Sequence, residues 1–174
     1  MSFGSKFDWM IGLEDTKPII DRALDLGITF FDTANAYSDG HSEKIVGELL
    51  KKCRNDVVIG TKVRYQMGSD PKDIGLSQEQ IKKQFAKSLE RLQTDYIDLY
   101  QIHRWDYDTL IDETLTALDE LVRENRVRHL GASNMWTWQF AKCLWICDKL
   151  DLHKIETMQT HYNLCYREEE REMI

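Results

Sequence analysis

Short runs rich in β-branched and aromatic residues alternate with amphipathic helical segments along this chain, and no other feature constrains its fold as strongly. The spacing predicts a first helix over residues 15–26, which Gly27 ends, and a strand over residues 28–31. Further helices are predicted over residues 42–50, 77–92, 111–122 and 137–150, with a last one beginning at residue 168, and further strands over residues 57–61, 96–102, 127–132 and 155–159. This repetition is typical of a parallel sheet with helical crossovers, which is either an open doubly wound sheet or a closed eightfold barrel. No Gly-x-Gly-x-x-Gly motif follows any predicted strand, so the sequence does not support an open dinucleotide-binding sheet.

The composition is that of one ordinary globular domain, predicted to cover residues 1–174. Hydrophobic residues make up 42% of the chain and charged residues 30%, which is enough to build a single core. The net charge of −7 argues against nucleic acid or an anionic membrane as a partner. No apolar run approaches the roughly 20 residues that cross a bilayer, and residues 1–9 lack the apolar core of a signal peptide. These features predict a cytoplasmic protein without a membrane or nucleic-acid partner.

The four cysteines are unevenly spaced, which predicts free thiols rather than a disulfide framework. Cys143 and Cys147 are four residues apart and share one helix face, which raises the alternative of a metal site. A tetrahedral metal needs two further ligands, for which His153 and His161 are the nearest candidates, but no motif joins them to the cysteines. We therefore predict no bound metal, and two small core residues in this helix.

Polar side chains stand at the carboxyl end of every predicted strand. In chain order these residues are Asp32, Lys62, His103, Ser133 with Asn134, and Gln159. In a parallel barrel all strand carboxyl ends open on the same face, where active sites are built. Solvation explains one such residue, but polar groups after five successive strands indicate a shared site.

The sequence around these positions resembles that of the aldo-keto reductase family. The similar blocks are residues 27–38 (GITFFDTANAYS), Gly40, residues 42–43 (SE) and 47–48 (GE), residues 61–62 (TK), residues 89–104 (LERLQTDYIDLYQIHR), residues 127–134 (VRHLGASN) and residues 159–163 (QTHYN). Together they cover nearly the whole chain, and they are more similar to the branch of the aryl-alcohol dehydrogenases and potassium-channel β-subunits than to that of aldose reductase.

The resemblance implies an NADP-dependent oxidoreductase that reduces aldehydes or ketones, with a catalytic tetrad of Asp32, Tyr37, Lys62 and His103. Tyr37 would act as the general acid, because a carbonyl group that receives hydride must also receive a proton. An ammonium about 4 Å from a phenolate interacts with it by roughly 4 kcal/mol, so Lys62 is expected to lower the pKa of Tyr37 by up to about three units. Asp32 would hold Lys62 in place, and His103 would orient the substrate oxygen.

The same resemblance implies residues that hold the cofactor. Ser133, Asn134 and Gln159 would hold the nicotinamide carboxamide of NADPH, with Asp32 beside them. Trp105, which follows His103 by two residues, either lines the substrate pocket or covers it.

Each tetrad residue also has an ordinary structural explanation when it is taken singly. Asp32 could cap a helix, Lys62 could be solvated, and His103 could be a core histidine bonded to the backbone. Their joint occurrence at the family's spacing favours the tetrad.

The chain is shorter than a complete barrel of this kind, which takes eight strands and about 250 residues. Residues 1–4 resemble the tail of the family's first strand, and residues 171–174 fall in its sixth helix. We therefore predict an α/β fold that is a partial (β/α)8 TIM barrel, roughly strands 1–6 with the last two β/α units missing. In the family the missing region stacks on the nicotinamide and binds the cofactor phosphates. The chain is expected to be an excerpt of a longer protein, a truncated gene product or a half that depends on a partner.

Three functions are compatible with this sequence. The first is the reductase of the full-length parent, acting on a small carbonyl or alcohol substrate whose identity the sequence does not specify. The second is a non-catalytic regulatory or interaction protein of the same fold, and His103 argues against it because the channel-subunit branch has Asn at that position. The third is an inactive truncated relative. A metal-dependent barrel enzyme fits the fold alone, but no cluster of His and carboxylate ligands stands at the strand ends.

Overall fold

The computed structural model describes all 174 residues and contains the predicted alternation of strands and helices. One parallel sheet holds β1 (Phe30–Asp32), β2 (Val58–Val63), β3 (Ile97–Ile102), β4 (Val127–Ser133) and β5 (Ile155–Gln159), with neighbours in chain order. The helices that connect or precede them are α1 (Leu13–Asp25), α2 (His41–Leu50), α3 (Gln78–Leu92), α4 (Ile111–Arg123) and α5 (Thr137–Leu150). This arrangement is half of a barrel, which confirms the prediction of a partial (β/α)8 fold.

The core lies between the outer face of the sheet and the helices. Helix α3 places Ile81, Phe85 and Leu89 on its inner side, and the Phe85 ring meets the ring of Tyr100 on β3 edge to face, with 5.3 Å between centroids. Burying side chains of this size stabilises the fold by about 1.5–3 kcal/mol each. None of the helices is long and apolar enough to span a membrane.

Local signals set the helix ends. The hydroxyl of Ser77 accepts a hydrogen bond from the backbone N–H of Gln80 at 3.3 Å, which fixes the start of α3 as its sequence predicts. Helix α1 stops just before Gly27, whose φ of 80° is the left-handed conformation that terminates helices.

Both ends of the chain differ from the prediction. Residues 1–4 do not form a strand, so the sheet has five strands rather than six. The N–H of Phe3 donates to the Ser42 hydroxyl at 3.3 Å, and the N–H of Gly4 donates to a loop carbonyl, so these groups do not join the ladder. The predicted last helix is only a 3-10 turn over Glu168–Arg171, because this charged segment has no buried residue to pack.

The two faces of the sheet differ in character. Side chains alternate between the faces along each strand, so successive side chains of β2 lie on opposite faces of the sheet. On the inner face Phe30 and Val58 are half-exposed near the amino ends of their strands, whereas polar groups occupy the carboxyl ends. The candidate site lies at that polar end.

Candidate active site

An ion pair between the first two strands forms the centre of the site. Lys62 on β2 donates from Nζ to Oδ2 of Asp32 at 2.5 Å and to the carbonyl oxygen of Thr33 at 2.9 Å. The Lys62 side chain is fully buried, while that of Asp32 is 23% exposed. Burial lowers the pKa of Lys62, and the adjacent Asp32 carboxylate opposes that change. The ordinary explanation of a solvated Lys62 is therefore wrong.

Tyr37 stands beside this pair on the connection between β1 and α2. It begins a 3-10 turn, Tyr37–Gly40, in which Ser38 and Asp39 adopt left-handed conformations with φ of 50° and 53°. The Lys62 Nζ lies 5.3 Å from the centre of the Tyr37 ring. The structure thus brings the phenol next to the ammonium that the sequence assigned to it.

The expected lowering of the Tyr37 pKa is not observed. Burial raises the pKa of Tyr37, and the nearby Asp32 and Tyr65 raise it further. The expected lowering takes Lys62 as an isolated cation, whereas the Asp32 carboxylate at 2.5 Å offsets much of its charge. Tyr37 is therefore a protonated phenol at neutral pH.

His103 follows β3 and is held by its backbone, whose N–H donates to the carbonyl of Val63 at 2.9 Å. Burial lowers the pKa of His103 to about 4, and the positive charge of Lys62 contributes. The ring meets Tyr37 and Tyr65 edge to face, with 5.5 Å and 4.7 Å between centroids, and its Nδ1 has no hydrogen-bond partner. His103 is therefore a neutral imidazole at physiological pH.

The three residues predicted to hold the cofactor also meet at this end of the sheet. Ser133 ends β4 opposite Gln159 of β5, and Asn134, with φ of 50°, donates from its amide to the Ser133 hydroxyl at 2.8 Å. The Asn134 backbone N–H donates to the Gln159 carbonyl at 3.1 Å, and Gln159 Nε2 lies 3.3 Å from Oδ2 of Asp32. This group therefore adjoins the ion pair, with the side chains of Asn134 and Gln159 exposed.

Trp105 follows His103 by two residues and is buried, with its ring 5.8 Å from that of Trp138. It lines a depression of about 340 Å³ together with Tyr107 and Trp136, which are exposed. None of the four tetrad residues lines this depression, so the place of Trp105 in a substrate pocket stays a prediction.

Two residues near the centre of the site were not predicted from the sequence. Gln101 points inward from β3, and its Nε2 donates to Oδ1 of Asp32 at 2.9 Å. A signal for it was present, since it is a polar residue in a buried strand, two positions before His103 and so on the same face. Tyr65 contacts the His103 ring from a loop. A loop has no regular alternation of side chains from which the direction of the Tyr65 side chain could be predicted.

The cysteine pair lies elsewhere, inside the packing of α5. Cys143 and Cys147 are buried and free, and burial raises the pKa of Cys143 to about 12. The nearest candidate ligands have other partners, with His153 bound to Asp119 at 2.7 Å and His161 next to Asn163. The two thiols are core residues in this structure.

Comparison with known proteins agrees with this geometry. The model of the aldo/keto reductase family matches residues 1–174. The chain belongs to the aldo/keto reductase family. This result confirms the family resemblance of the sequence.

Individual members of the aldo/keto reductase family match over nearly the whole chain. An aldo-keto reductase of Metarhizium robertsii is 43% identical over 95% of the chain, and the versiconal hemiacetal acetate reductase of Aspergillus parasiticus is 39% identical over the same share. A Schizosaccharomyces pombe protein whose name refers it to the aryl-alcohol dehydrogenases is 39% identical over 100% of the chain. The chain spans 51%, 54% and 62% of the lengths of these three relatives.

Proposed function

We propose that this chain carries the proton-transfer half of an NADP-dependent reductase that converts aldehydes or ketones to alcohols. The observation that carries the proposal is the fully buried Lys62, which is bonded to Asp32 and lies beside the Tyr37 ring and a neutral His103. A lysine without exposure is costly unless it is paired, and buried charged groups of this kind are concentrated at functional sites. A charge held beside a phenol serves a reaction in which that phenol gives up a proton.

Each residue has one task in the proposed reduction. NADPH would supply hydride to the carbonyl carbon when it is bound. His103, neutral at working pH, would donate a hydrogen bond that orients the carbonyl oxygen, and Tyr37, whose raised pKa keeps it protonated, would give that oxygen its proton. The phenolate left behind would face the Lys62 ammonium, whose Nζ lies 5.3 Å from the centre of the Tyr37 ring. Because Asp32 offsets part of that charge, Lys62 would limit the cost of the phenolate without bringing the pKa of Tyr37 below its usual value.

The residues at the end of β4 and β5 fit the nicotinamide carboxamide. That group has one acceptor oxygen and one donor NH2, and Ser133, Asn134 and Gln159 offer hydroxyl and amide groups of both kinds. The side chains of Asn134 and Gln159 are exposed at the rim, where a ring could approach them. We propose that these three hold the carboxamide next to Asp32.

The pocket beside Trp105 suggests the substrate class. Its walls include the aromatic side chains of Trp105, Tyr107 and Trp136 together with the polar ones of Arg104, Asn134 and His161, so an aromatic ring that carries a polar group would suit it. One relative's name refers to aryl alcohols. We therefore propose a small aromatic carbonyl compound as substrate. We also propose that residues 1–174 act as a single incomplete domain, in the cytoplasm.

The test combines cofactor binding with turnover. The chain would be titrated with NADPH while nicotinamide fluorescence is followed, with circular dichroism as a folding control, and then assayed with an aromatic aldehyde. We expect saturable binding, and a fall in turnover of about 10²- to 10⁴-fold for Tyr37→Phe. Tyr65→Phe removes the other phenol beside His103 and is expected to cost less than about 10-fold. Equal losses in the two variants would overturn the proposed role of Tyr37, and a folded chain that fails to bind NADPH would overturn the proposed carboxamide site.

A further inference from the structure

The Asp32 carboxylate has neutral partners besides Lys62. Lys62 and, at 3.3 Å, Nε2 of the exposed Gln159 donate to Oδ2, while Nε2 of the buried Gln101 is the donor to Oδ1, at 2.9 Å. Gln101 is 2% exposed, so this amide is removed from water and its hydrogen bond to a charged group is a strong one. A carboxylate that accepts hydrogen bonds at both oxygens is held against rotation about its Cβ–Cγ bond.

The strand register explains why Gln101 reaches Asp32 and not its direct neighbour. Gln101 on β3 stands opposite Lys62 on β2, and Asp32 on β1 stands opposite Gly60. The amide therefore crosses β2 at Gly60. A Cβ at position 60 would lie 3.3 Å from Oδ1 of Asp32 and 3.4 Å from Nε2 of Gln101. It would therefore crowd both atoms of the hydrogen bond between these residues.

A second glycine makes room on the other side of Gln101. Gly131 of β4 is its register partner, and a Cβ there would lie 2.9 Å from Cγ of Gln101 and 2.5 Å from Oγ1 of Thr157. Real Cβ atoms do not approach neighbours this closely, so a side chain at position 131 would push Gln101 or Thr157 away. Two strands thus lack a side chain at the places where the Gln101 side chain must lie.

We infer that Gln101 is a positioning residue that fixes the Asp32 carboxylate, and through it Lys62, in the orientation needed beside Tyr37. A neutral amide suits this task, because it directs one oxygen without adding a charge that would compete with Lys62 for the other. A glutamate at the same place would offer no donor, and a lysine or arginine would neutralise Asp32. The kinetic part of this inference rests on the proposed function, while the geometric part does not.

The direct test is the ionisation of Lys62, measured without cofactor. The chain would be labelled with ¹³C-lysine, and the Cε resonance of Lys62 followed by NMR as pH is raised. Gln101→Met keeps the length of the side chain but removes the donor. Asp32 would then turn away from Lys62, and we expect the pKa of Lys62 to fall by about half a unit or more relative to the wild type.

A second variant at the same position should move the Lys62 pKa in the opposite direction. Gln101→Glu keeps the shape and adds a carboxylate close to the ammonium, so the pKa of Lys62 should rise above the wild-type value. The other groups near Lys62 are Asp32, Tyr37, His103 and the Met1 amino group, and they are the same in both variants. That rise follows from the added charge and shows only that position 101 is close to Lys62. If Gln101→Met does not fold, as judged by circular dichroism, Gln101→Leu removes the same donor, and a fall in its Lys62 pKa tests the inference.

Gln84→Met is the matched control, because Gln84 is also 2% exposed but lies on α3, behind the sheet. It should leave the Lys62 pKa unchanged.

With NADPH and an aldehyde, Gln101→Met should lower kcat by about 10-fold and change the KM for the carbonyl by less than about 2-fold. An unchanged Lys62 pKa in folded Gln101 variants, or a shift of equal size in Gln84→Met, would overturn the inference. A Lys62 shift in a chain that turns over no aldehyde would overturn the reductase and leave the positioning role intact.

Discussion

Two buried ion pairs stand on opposite faces of β2, and neighbouring residues of the strand contact them. On the outer face the hydroxyl of Thr61 donates to Oε1 of Glu43 at 2.6 Å, and Arg91 Nε donates to Oε2 at 2.6 Å. On the inner face Lys62 donates to Asp32. The outer pair uses arginine, which stays charged in proteins, whereas the inner pair uses lysine, whose pKa burial lowers. We therefore expect the outer pair to serve stability and the inner pair to serve proton transfer.

The strongest test of this difference between the two ion pairs is to remove one member of each pair. Lys62→Met should lower turnover by about 10²- to 10⁴-fold, while the free energy of unfolding falls by no more than about 2 kcal/mol, because Asp32 keeps Gln101 and some solvent as partners. Glu43→Gln leaves the Arg91 guanidinium buried and unpaired, and should cost about 3–5 kcal/mol of stability.

Urea unfolding and steady-state assays of both variants measure these effects. The contrast holds if stability and turnover separate in this way. Comparable losses of stability in Lys62→Met and Glu43→Gln would mean that the inner pair is structural as well.

The pH dependence of stability sharpens the contrast through His103. Its pKa is lowered from about 6.5 to about 4 in the folded chain, so as the pH falls the unfolded chain takes up the proton first. The contribution of His103 to the free energy of unfolding is therefore complete above about pH 6.5, is lost as the pH falls toward 4, and does not change further below that. The difference corresponds to about 3 kcal/mol.

Unfolding by urea at pH 7.5 and 4.5 tests this, with His103→Gln as the reference. The wild type should lose more stability than the variant between the two pH values. Parallel losses would assign the acid sensitivity to other groups and contradict a buried neutral imidazole.

The smallest expected effect concerns the exposed part of the site. Asn134 adopts a left-handed φ of 50°, so Asn134→Gly removes the amide without straining the backbone. We expect the Kd for NADPH to rise about 5- to 10-fold, the value of roughly one hydrogen bond, with the melting temperature nearly unchanged. Fluorescence titration gives the Kd, and an unaltered value would remove Asn134 from the proposed carboxamide site.

Much of this site was accessible from sequence because its residues occupy strand ends. Asp32, Lys62 and His103 each follow an apolar run whose period locates the carboxyl end of a strand, and parallel strands bring those ends together. Gln101 was missed because it lies within a strand, where its role depends on the glycines of two neighbouring strands. The pKa of Tyr37 was missed because it depends on how closely Asp32 pairs with Lys62, and spacing along a chain contains no such distance.

The errors in the fold have a similar origin. Residues 1–4 were assigned to a strand by resemblance, but extended backbone becomes a strand only where its N–H and carbonyl groups pair with a neighbour. In this chain the Phe3 N–H bonds to a side chain instead. The charged run at residues 168–174 predicts a helix by its composition, but most of a helix's stability comes from packing an apolar face, which this run lacks.

The alternation of Thr61 and Lys62 across β2 also limits how this gene segment can change over time. A point mutation at either position affects one face, and the other face keeps its partner. An insertion or deletion of a single codon within β2 would turn both residues over, sending the lysine toward Glu43 and the threonine toward Asp32. Insertions and deletions among descendants of this sequence should therefore occur in the loops around β2. The strand itself should keep the same number of residues.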